Sequence, residues 1–506
     1  MSTPEPEADR AYFPHAGLRQ SAEYMTAMNF IGGKWVDPRA DDFHPVLNPS
    51  EGRQIARTPL SRAQDVADAV RAAERSFPGW AATTIKERAQ VFFRYRGLLE
   101  KNLANLAALV QEENGKTRNE AAAEVEKAIE VTEFACSLPQ LAAGEVLEVS
   151  PGVECRLDRR PVGVVASVAP FNFPIMVPHW TIPNALVLGN TMVFKPSQFV
   201  PLSALRIAEL LKDAGLPDGV FNLVHGGQEV VEAVCEHPGI QALTFVGSTR
   251  VARAVYARAA ASLKRALCLG GAKNHLIVLP DAHVEMAATN IAASFTGCAG
   301  QRCMAASVLI AVADVEAVIA RLCEEAAKVI PGKNLGAIIS RESKERIEEF
   351  ITEAARSGAD VLLDGRGARV EGKENGFYVG PTILDRVHPG MRIARDEVFG
   401  PVLSVIRVGS FEEAIAIENR NPYGNAAAVF TQSGAVARSF TERANAGMVG
   451  VNIGLPVPRE PFSFGGWNHS RYGAGDITGK SSIEFFTRAK KTTTKWNPDA
   501  RRNWMS

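Results

Sequence analysis

The sequence predicts an α/β protein built around a doubly wound parallel sheet. Short apolar runs alternate with amphipathic segments through the middle of the chain, and this alternation is typical of β-α-β units. Turn-forming residues end the runs, since Pro170 follows the run 162–169 and Pro196 follows the run 191–195. Ligands of such sheets bind at the carboxyl ends of the strands, so we expect functional residues there.

The individual elements follow from apolar spacing and from start and stop residues. Residues 61–114 and 118–136 have helical spacing, while residues 1–25 are polar, contain early prolines and predict a flexible N-terminal arm. A second α/β unit is predicted for about 281–452. The basic tail 482–496 is expected to be β-rich and suited to pairing with another subunit's sheet edge. In between, the predicted strands are 162–169, 191–195, 220–224, 242–246 and 276–279, and the predicted helices are 184–188, 201–214, 230–236 and 250–262.

The bulk composition excludes several classes of protein. Lys+Arg and Asp+Glu number 56 each, so no positive surplus indicates nucleic acid or an anionic membrane as a partner. Seven cysteines without repeated spacing predict reduced thiols, and nine histidines without ligand spacing predict no metal site. The polar N-terminus and the lack of a run of ~18 apolar residues predict neither a signal peptide nor a membrane span. A cytoplasmic enzyme or binding protein of two or three domains is expected.

The segment 295–304 contains a candidate nucleophile. Cys303 follows Arg302 at the end of a run rich in small residues, which allow the backbone to approach a ligand closely. A neighbouring cation favours the thiolate, the form of cysteine that attacks a carbonyl carbon. The alternative is a packed, inert thiol, which is the commoner state of cysteine in intracellular proteins.

Other candidates lie where predicted strands end. Asn172 follows the first strand and is placed to donate to a developing alkoxide, or else to satisfy its own loop. Lys195 closes the next strand, where a lysine reaches the ribose or phosphate of a nucleotide. Gly247 and Ser248 lead from a strand into a helix, a geometry that binds phosphate. Glu397 precedes a strand and either accepts from a ribose hydroxyl or caps the backbone.

Taken in order, these segments resemble the aldehyde dehydrogenase superfamily from about Tyr24 to Trp496. The closest likeness within it is to the coenzyme-A-acylating branch of methylmalonate- and malonate-semialdehyde dehydrogenases. The superfamily motifs are 170–174, Lys195-Pro196-Ser197, 245–249, Leu269-Gly270-Gly271, 300–303, 397–401 and 462–466. The branch motifs are 271–275, 300–305, 374–377, 450–452 and 456–458.

The resemblance implies a division of the chain into domains. A Rossmann-type NAD-binding domain would comprise 26–138 and 160–275, and an α/β catalytic domain would comprise 276–465. A β-rich oligomerisation arm would comprise 139–159 and 480–506. Members of the superfamily assemble as homodimers or homotetramers.

The resemblance also assigns roles within one site. Cys303 is the implied nucleophile, and Asn172 with the Cys303 N–H forms the implied oxyanion hole. NAD is the implied cofactor, with NADP left open because Gln198 stands where many members carry a glutamate. Lys195 and Glu397 would hold ribose hydroxyls, and Ser248 would approach the pyrophosphate. The implied cofactor-binding residues are Phe171, Lys195, Ser197, Gln198, Gly247, Ser248, Glu397 and Phe399.

Two further positions bear on substrate and product. Cys268 stands where hydrolytic relatives carry the glutamate that activates water, so the resemblance implies release of the acyl group to coenzyme A. Arg302, with Lys127 as a second cation, suits an aldehyde bearing a carboxylate. The substrate expected is a malonate-type semialdehyde that loses CO2. The alternatives are a hydrolytic aldehyde dehydrogenase of different specificity and a structural protein on the same fold.

Overall fold

The computed structural model describes residues 16–20 and 23–496 of the chain. Among these residues the strands form sheets of four, eight, seven, two and three strands. Helices cover the eight- and seven-stranded sheets, and the core strands of both sheets run parallel. The predicted α/β class is therefore confirmed.

The eight-stranded sheet contains the first set of predicted strands. Its five central strands are parallel, and its edge strands pair antiparallel. The chain leaves the central strand Val164–Val168 toward one edge and later returns to its other side with Ile240–Val246. This reversal is a topological switch point, and it opens a crevice at the carboxyl ends of the two strands. In sheet order the strands are Arg471–Gly473, Arg265–Leu269, Ile240–Val246, Val164–Val168, Thr191–Lys195, Phe221–Leu223, Asn29–Ile31 and Lys34–Val36.

The helices of this half match the predicted segments, with two divisions that the sequence did not predict. The stretch 61–114 forms three helices. The first division lies where the Thr84 side chain accepts from the Glu87 N–H and starts a new helix, and the second lies at Asn102. The long helices are Ala63–Ala82, Ile85–Lys101, Leu103–Asn114, Arg118–Cys136, Pro201–Asp213, Gln228–Glu236 and Thr249–Ala261. Shorter ones are Leu138–Leu141, Met176–His179 and Ile182–Val187.

The seven-stranded sheet forms the second α/β unit. All of its neighbouring strands are parallel except the pair at the edge formed by Asp360–Leu363. In sheet order the strands are Asp360–Leu363, Thr382–Asp385, Val402–Val408, Ala306–Val312, Asn274–Val278, Ala426–Phe430 and Met448–Val451. The helices are Val284–Thr296, Glu316–Ala327, Arg341–Arg356, Arg392–Arg395, Phe411–Asn419 and Gly434–Arg443, with a 3-10 turn at Gly297–Gly300.

Three smaller sheets accompany these two large ones. The three-stranded sheet is antiparallel and joins the tail strand Thr487–Lys495 to Val153–Pro161 and Glu145–Ser150. The four-stranded sheet contains Leu18–Gln20, Met25–Ala27, Arg53–Pro59 and Phe43–Asn48, and the two-stranded sheet contains Tyr423–Gly424 and Trp467–Asn468.

Two terminal predictions need correction. The tail forms the helix Ser482–Phe486 before its strand, so the predicted β structure of residues 483–486 is wrong. Ile483, Phe485 and Phe486 are buried in the core, and the helical turn allows all three to pack there. Most of the predicted arm 1–25, namely 1–15 and 21–22, lies outside the described residues, and so do residues 497–506. Its described residues Leu18–Gln20 pair as a strand, which was not predicted.

Neither a membrane-spanning helix nor a metal-binding cluster is found among residues 16–20 and 23–496. No helix in this part of the chain is long and apolar enough to cross a membrane. No group of three or more His, Cys, Asp or Glu side chains in the same residues is placed to hold a metal ion.

Candidate active site

A cavity of about 1270 Å³ lies at the carboxyl ends of the parallel strands, between the two large sheets. Pockets that hold one small ligand usually measure about 300–1,000 Å³, so this cavity has room for a nucleotide and a second ligand. All twelve predicted site residues line it: Lys127, Phe171, Asn172, Lys195, Ser197, Gln198, Gly247, Ser248, Arg302, Cys303, Glu397 and Phe399.

Cys303 lies on a loop whose backbone is held in an uncommon conformation. The 3-10 turn before it contains Cys298 at φ 53° and Ala299 at φ 51°, both in the left-handed region. Such residues cost about 1–3 kcal/mol each and persist where surrounding contacts hold them. One such contact is the Cys298 N–H, which donates to the Glu120 carboxylate at 2.5 Å. The loop is therefore fixed from outside by a side chain of the helix Arg118–Cys136.

Main-chain contacts bring this loop close to the loop of Glu397. Gly300 has a φ of +69°, and a Cβ there would lie 2.0 Å from the Gly400 carbonyl oxygen. Only glycine permits so close an approach of two backbones. The contact joins the nucleophile loop directly to the segment that carries Glu397 and Phe399.

Two buried amides orient Cys303 itself. The Asn274 and Asn425 side chains donate to the Cys303 carbonyl oxygen at 2.7 and 2.9 Å. With its carbonyl so held, the residue keeps one orientation relative to the cavity. The sequence analysis did not assign these two residues a role. Their amide side chains at the starts of otherwise apolar strands were the available signal.

Asn172 lies beside the nucleophile loop, as the oxyanion-hole assignment requires. Its side-chain amide donates to the Gln301 carbonyl oxygen at 3.0 Å. An amide has two N–H donors, so one remains for a ligand atom in the cavity. Gln301 is itself fixed, since it donates to the Ala337 carbonyl and accepts from the Ile339 N–H.

Glu124 supports the segment that follows Asn172. Its carboxylate accepts from the N–H groups of Ile175 and Met176 at 2.7 and 3.1 Å. It also forms an ion pair with Lys116, and the two side chains are 0% and 3% exposed. A buried carboxylate with these partners keeps the loop in place, because any other position would leave charges unpaired. The sequence analysis did not single out Glu124.

Burial controls the ionisation of the nucleophile. The pKa of the Cys303 thiol is raised to about 12, mainly by burial and secondly by the negative charge of Glu397. Arg302 lowers the pKa, but its effect is smaller than either of these. Arg302 therefore favours the thiolate, as expected, but its effect on the pKa is too small to outweigh burial and the charge of Glu397.

The cofactor side of the cavity is built from strand ends. Lys195 ends the strand Thr191–Lys195 and is buried, which lowers the pKa of its ammonium to about 8. Glu397 accepts from the Ala272 N–H at 3.0 Å, and burial raises its pKa to about 7. Phe399 has a left-handed backbone with φ 56°, and its ring meets the edge of Phe171 at 5.9 Å between centroids.

The helix Thr249–Ala261 begins at this side of the cavity. Ser248 is its N-cap residue, and its side chain makes no capping hydrogen bond. The free N–H groups of the first turn suit a phosphate. The Gly271 N–H donates to the Thr249 hydroxyl at 2.9 Å. Because Gly271 has no side chain, it takes up little space beside the helix start. The residues present therefore fit a dinucleotide.

The aldehyde side contains the two predicted substrate cations in different states. Arg302 donates from Nη2 to the carbonyl oxygens of Ala293 and Ser294, at 2.5 and 2.9 Å. Its Nε is buried with no hydrogen-bond partner in the described part of the chain. Lys127 is instead paired, with its Nζ 2.7 Å from a Glu460 carboxylate oxygen. Glu460 was not predicted as a site residue, since the two residues lie 333 positions apart.

Cys268 lies outside the cavity. It is fully buried in the strand Arg265–Leu269, between Phe245 and Tyr472 of the neighbouring strands, and is not among the described residues that line the cavity. Burial raises the pKa of its thiol well above the usual range. This side chain has no means of activating water near Cys303.

Sequence comparisons show which known proteins this chain resembles. A profile of the aldehyde dehydrogenase family matches residues 35–492. The chain is 44% identical over 481 residues to malonate-semialdehyde dehydrogenase 2 of Geobacillus kaustophilus, covering 93% of this chain and 99% of that protein. It is also 44% identical over 480 residues to malonate-semialdehyde dehydrogenase of Lacticaseibacillus casei, with coverages of 93% and 97%.

Solved structures give the same result. Methylmalonate-semialdehyde dehydrogenase from Oceanimonas doudoroffii matches with a TM-score of 0.92 at 40% identity, covering 93% of this chain and 98% of that one. A protein assigned as methylmalonate-semialdehyde dehydrogenase from Sinorhizobium meliloti, solved with NAD, matches with a TM-score of 0.92 at 39% identity. That alignment covers 94% of this chain and 99% of the other.

Proposed function

Because the chain belongs to the aldehyde dehydrogenase family and has its fold, as the motifs predicted, we propose a specific reaction for it. It oxidises a carboxylated semialdehyde of the malonate type with NAD and releases the product as an acyl-coenzyme A. The observation that carries this proposal is that Cys303 and Arg302 line the same cavity while a buried cysteine stands at position 268. The Nε of Arg302 has no hydrogen-bond partner among the described residues.

In the first step the Cys303 thiol gives up its proton to water and its sulfur adds to the aldehyde carbon. The carbonyl oxygen becomes an alkoxide, which the free N–H of Asn172 and the backbone N–H of Cys303 stabilise. Arg302, whose guanidinium has no carboxylate partner among the described residues, binds the substrate carboxylate and so orients the aldehyde toward the sulfur. Loss of hydride from the tetrahedral carbon leaves a thioester on Cys303.

The cofactor side provides the residues that hold NAD. Lys195 and Glu397 would hold ribose hydroxyls, Ser248 and the helix start would hold the pyrophosphate, and Phe399 would support the nicotinamide ribose. When bound, NAD⁺ supplies the hydride acceptor. Gln198 places no negative charge where a 2′-phosphate would lie, so NADP remains a possible second cofactor.

Release of the acyl group completes the cycle. A coenzyme A thiolate attacks the Cys303 thioester and needs no general base near the sulfur. This agrees with the buried, raised-pKa Cys268 at the position where hydrolytic relatives carry a glutamate. For a malonate-type acid, loss of CO2 at the thioester stage yields acetyl- or propionyl-coenzyme A.

Steady-state NADH production from malonate semialdehyde, with and without coenzyme A, tests the proposal. We expect rapid turnover only with coenzyme A, and a single burst of NADH per site without it, because the thioester then persists. Equal steady-state rates under both conditions would contradict thiolysis.

One observation favours hydrolysis as a second candidate. Glu397 lines the same cavity as Cys303, and burial raises its pKa to about 7, so it is a candidate base toward water. Under this alternative the rate without coenzyme A is high and falls in Glu397→Gln at the deacylation step. The product, free acid or acyl-coenzyme A, separates the two candidates.

We also propose that the three-stranded sheet mediates assembly into a homodimer or homotetramer. The strand Glu145–Ser150 exposes Val146, Leu147 and Val149, and apolar side chains on a strand of this kind are typical of an interface. Light scattering of the full chain at several concentrations checks the proposal, and a monomer at every concentration would contradict it.

A further inference from the structure

The charge at the aldehyde end of the cavity is set by an ion pair. Lys127 and Glu460 both line the cavity, and their side chains are 19% and 10% exposed. The Nζ–Oε2 distance of 2.7 Å is that of a direct charge-assisted hydrogen bond. Lys127 also lies 3.2 Å from Glu130, which is more exposed at 37%. Glu460 is thus the more buried counter-charge of Lys127.

The surroundings strengthen this pairing. Phe173, Met176 and Val177 form apolar parts of the same wall, and Trp180 packs on Phe464 at 4.6 Å between ring centroids. Apolar walls lower the local dielectric constant, so charges in this part of the cavity act more strongly on one another than they would in water. A substrate carboxylate has to compete with Glu460 for the ammonium of Lys127.

We propose that Glu460 is a specificity-determining residue, which limits the preference of the cavity for carboxylated over neutral aldehydes by neutralising Lys127. The inference rests on the proposed function, because it concerns the aldehyde that Cys303 attacks. With Glu460 in place, Arg302 is the one of the two cations that has no carboxylate partner among the described residues. Without it, the acid would meet two cations.

The test compares two aldehydes with the same three-carbon chain, malonate semialdehyde and propanal. The measured quantity is the ratio of their kcat/KM values, in which a general loss of activity cancels. Glu460→Gln keeps the shape and removes the charge, so we expect the ratio to rise about tenfold, mainly through a lower KM for the acid. A ratio within twofold of that of the unsubstituted enzyme would overturn the proposal.

A double-mutant cycle gives a second test. Lys127→Met leaves Glu460 facing the substrate without a partner, so the ratio should fall about tenfold. The double variant removes both charges and should return close to the original ratio, since the pair is neutral. A double variant whose ratio stays about tenfold above or below the original value would contradict the neutralisation that we propose. Glu130→Gln is the matched control, and a rise there equal to that of Glu460→Gln would also overturn the assignment.

Inhibition by malonate separates this inference from the proposed function. Competitive inhibition of propanal oxidation reports the charge of the cavity without requiring oxidation of a semialdehyde. We expect malonate to inhibit Glu460→Gln about tenfold more strongly than the unsubstituted enzyme. If the enzyme oxidises propanal but not malonate semialdehyde, the proposed function fails, whereas unchanged inhibition by malonate overturns the role of Glu460.

Discussion

The cofactor side and the aldehyde side of the cavity are built in different ways. The cofactor side consists of strand ends and one helix start, where Lys195, Ser248 and Glu397 take their positions from the sheet and its connections. The aldehyde side consists of loops held by charged side chains of one helix. Glu120 holds the turn before Cys303, and Glu124 holds the segment after Asn172.

This difference separates two properties of the enzyme. A parallel sheet fixes its strand ends through many backbone hydrogen bonds, so the cofactor side depends little on any one side chain. The aldehyde side depends on a few ion pairs, each of which one substitution can break. Substrate preference can therefore change while the cofactor site is preserved.

Removal of the nucleophile is the largest expected effect and tests the independence of the two sides. Cys303→Ala should lower kcat by about 10⁴-fold or more, since no other group forms the thioester. Its affinity for NAD, measured by calorimetry, should stay within about twofold, because the cofactor residues come from other elements. A large loss of NAD affinity would show that the two sides are not separable.

Glu124→Gln tests the dependence of the aldehyde side on its buried charges. The change leaves Lys116 buried without a counter-charge and should destabilise the protein by about 3–5 kcal/mol. The thermal unfolding midpoint at a fixed scan rate measures this effect. Lys116→Met combined with Glu124→Gln should recover much of the loss, and equal midpoints for the unsubstituted and Glu124→Gln proteins would contradict a stabilising role for the pair.

Glu397→Gln has the smallest expected effect and tests how the two sides interact. Above pH 7 the ionised Glu397 raises the pKa of Cys303, so its removal should speed iodoacetamide alkylation about threefold at pH 8. Below pH 7 Glu397 takes up a proton, so the two proteins should converge. Glu232→Gln, at the far end of the cavity, is the control. Equal rates for Glu397→Gln and the unsubstituted protein across this range would exclude the interaction.

The sequence was sufficient to predict twelve of the residues that line the cavity. Lys195, Gly247 and Asn172 stand directly after apolar runs, and the carboxyl ends of parallel strands meet at one edge. The order of the motifs along the chain predicted that Cys303 and Glu397 lie in the same site as these three residues. Both the α/β class and the family followed from these local patterns.

The residues that hold the site in place could not be predicted in this way. Glu124, Asn425 and Glu460 act through contacts between segments far apart in the chain, and no local pattern distinguishes a buried carboxylate with partners from a solvated one. The prediction of β structure for residues 483–486 was wrong for another reason. Three apolar or aromatic residues around one glutamate carry too little periodicity to separate a helical turn from a strand.

The contact between Gly300 and Gly400 has a practical consequence for redesign. Because two backbones meet there without a side chain on Gly300, the spacing between the loop of Cys303 and the loop of Glu397 is a property of the main chain. Changes to the walls of the cavity can alter which aldehyde enters while this spacing is preserved. A side chain added at Gly300 would instead push the two loops apart, whatever the substrate.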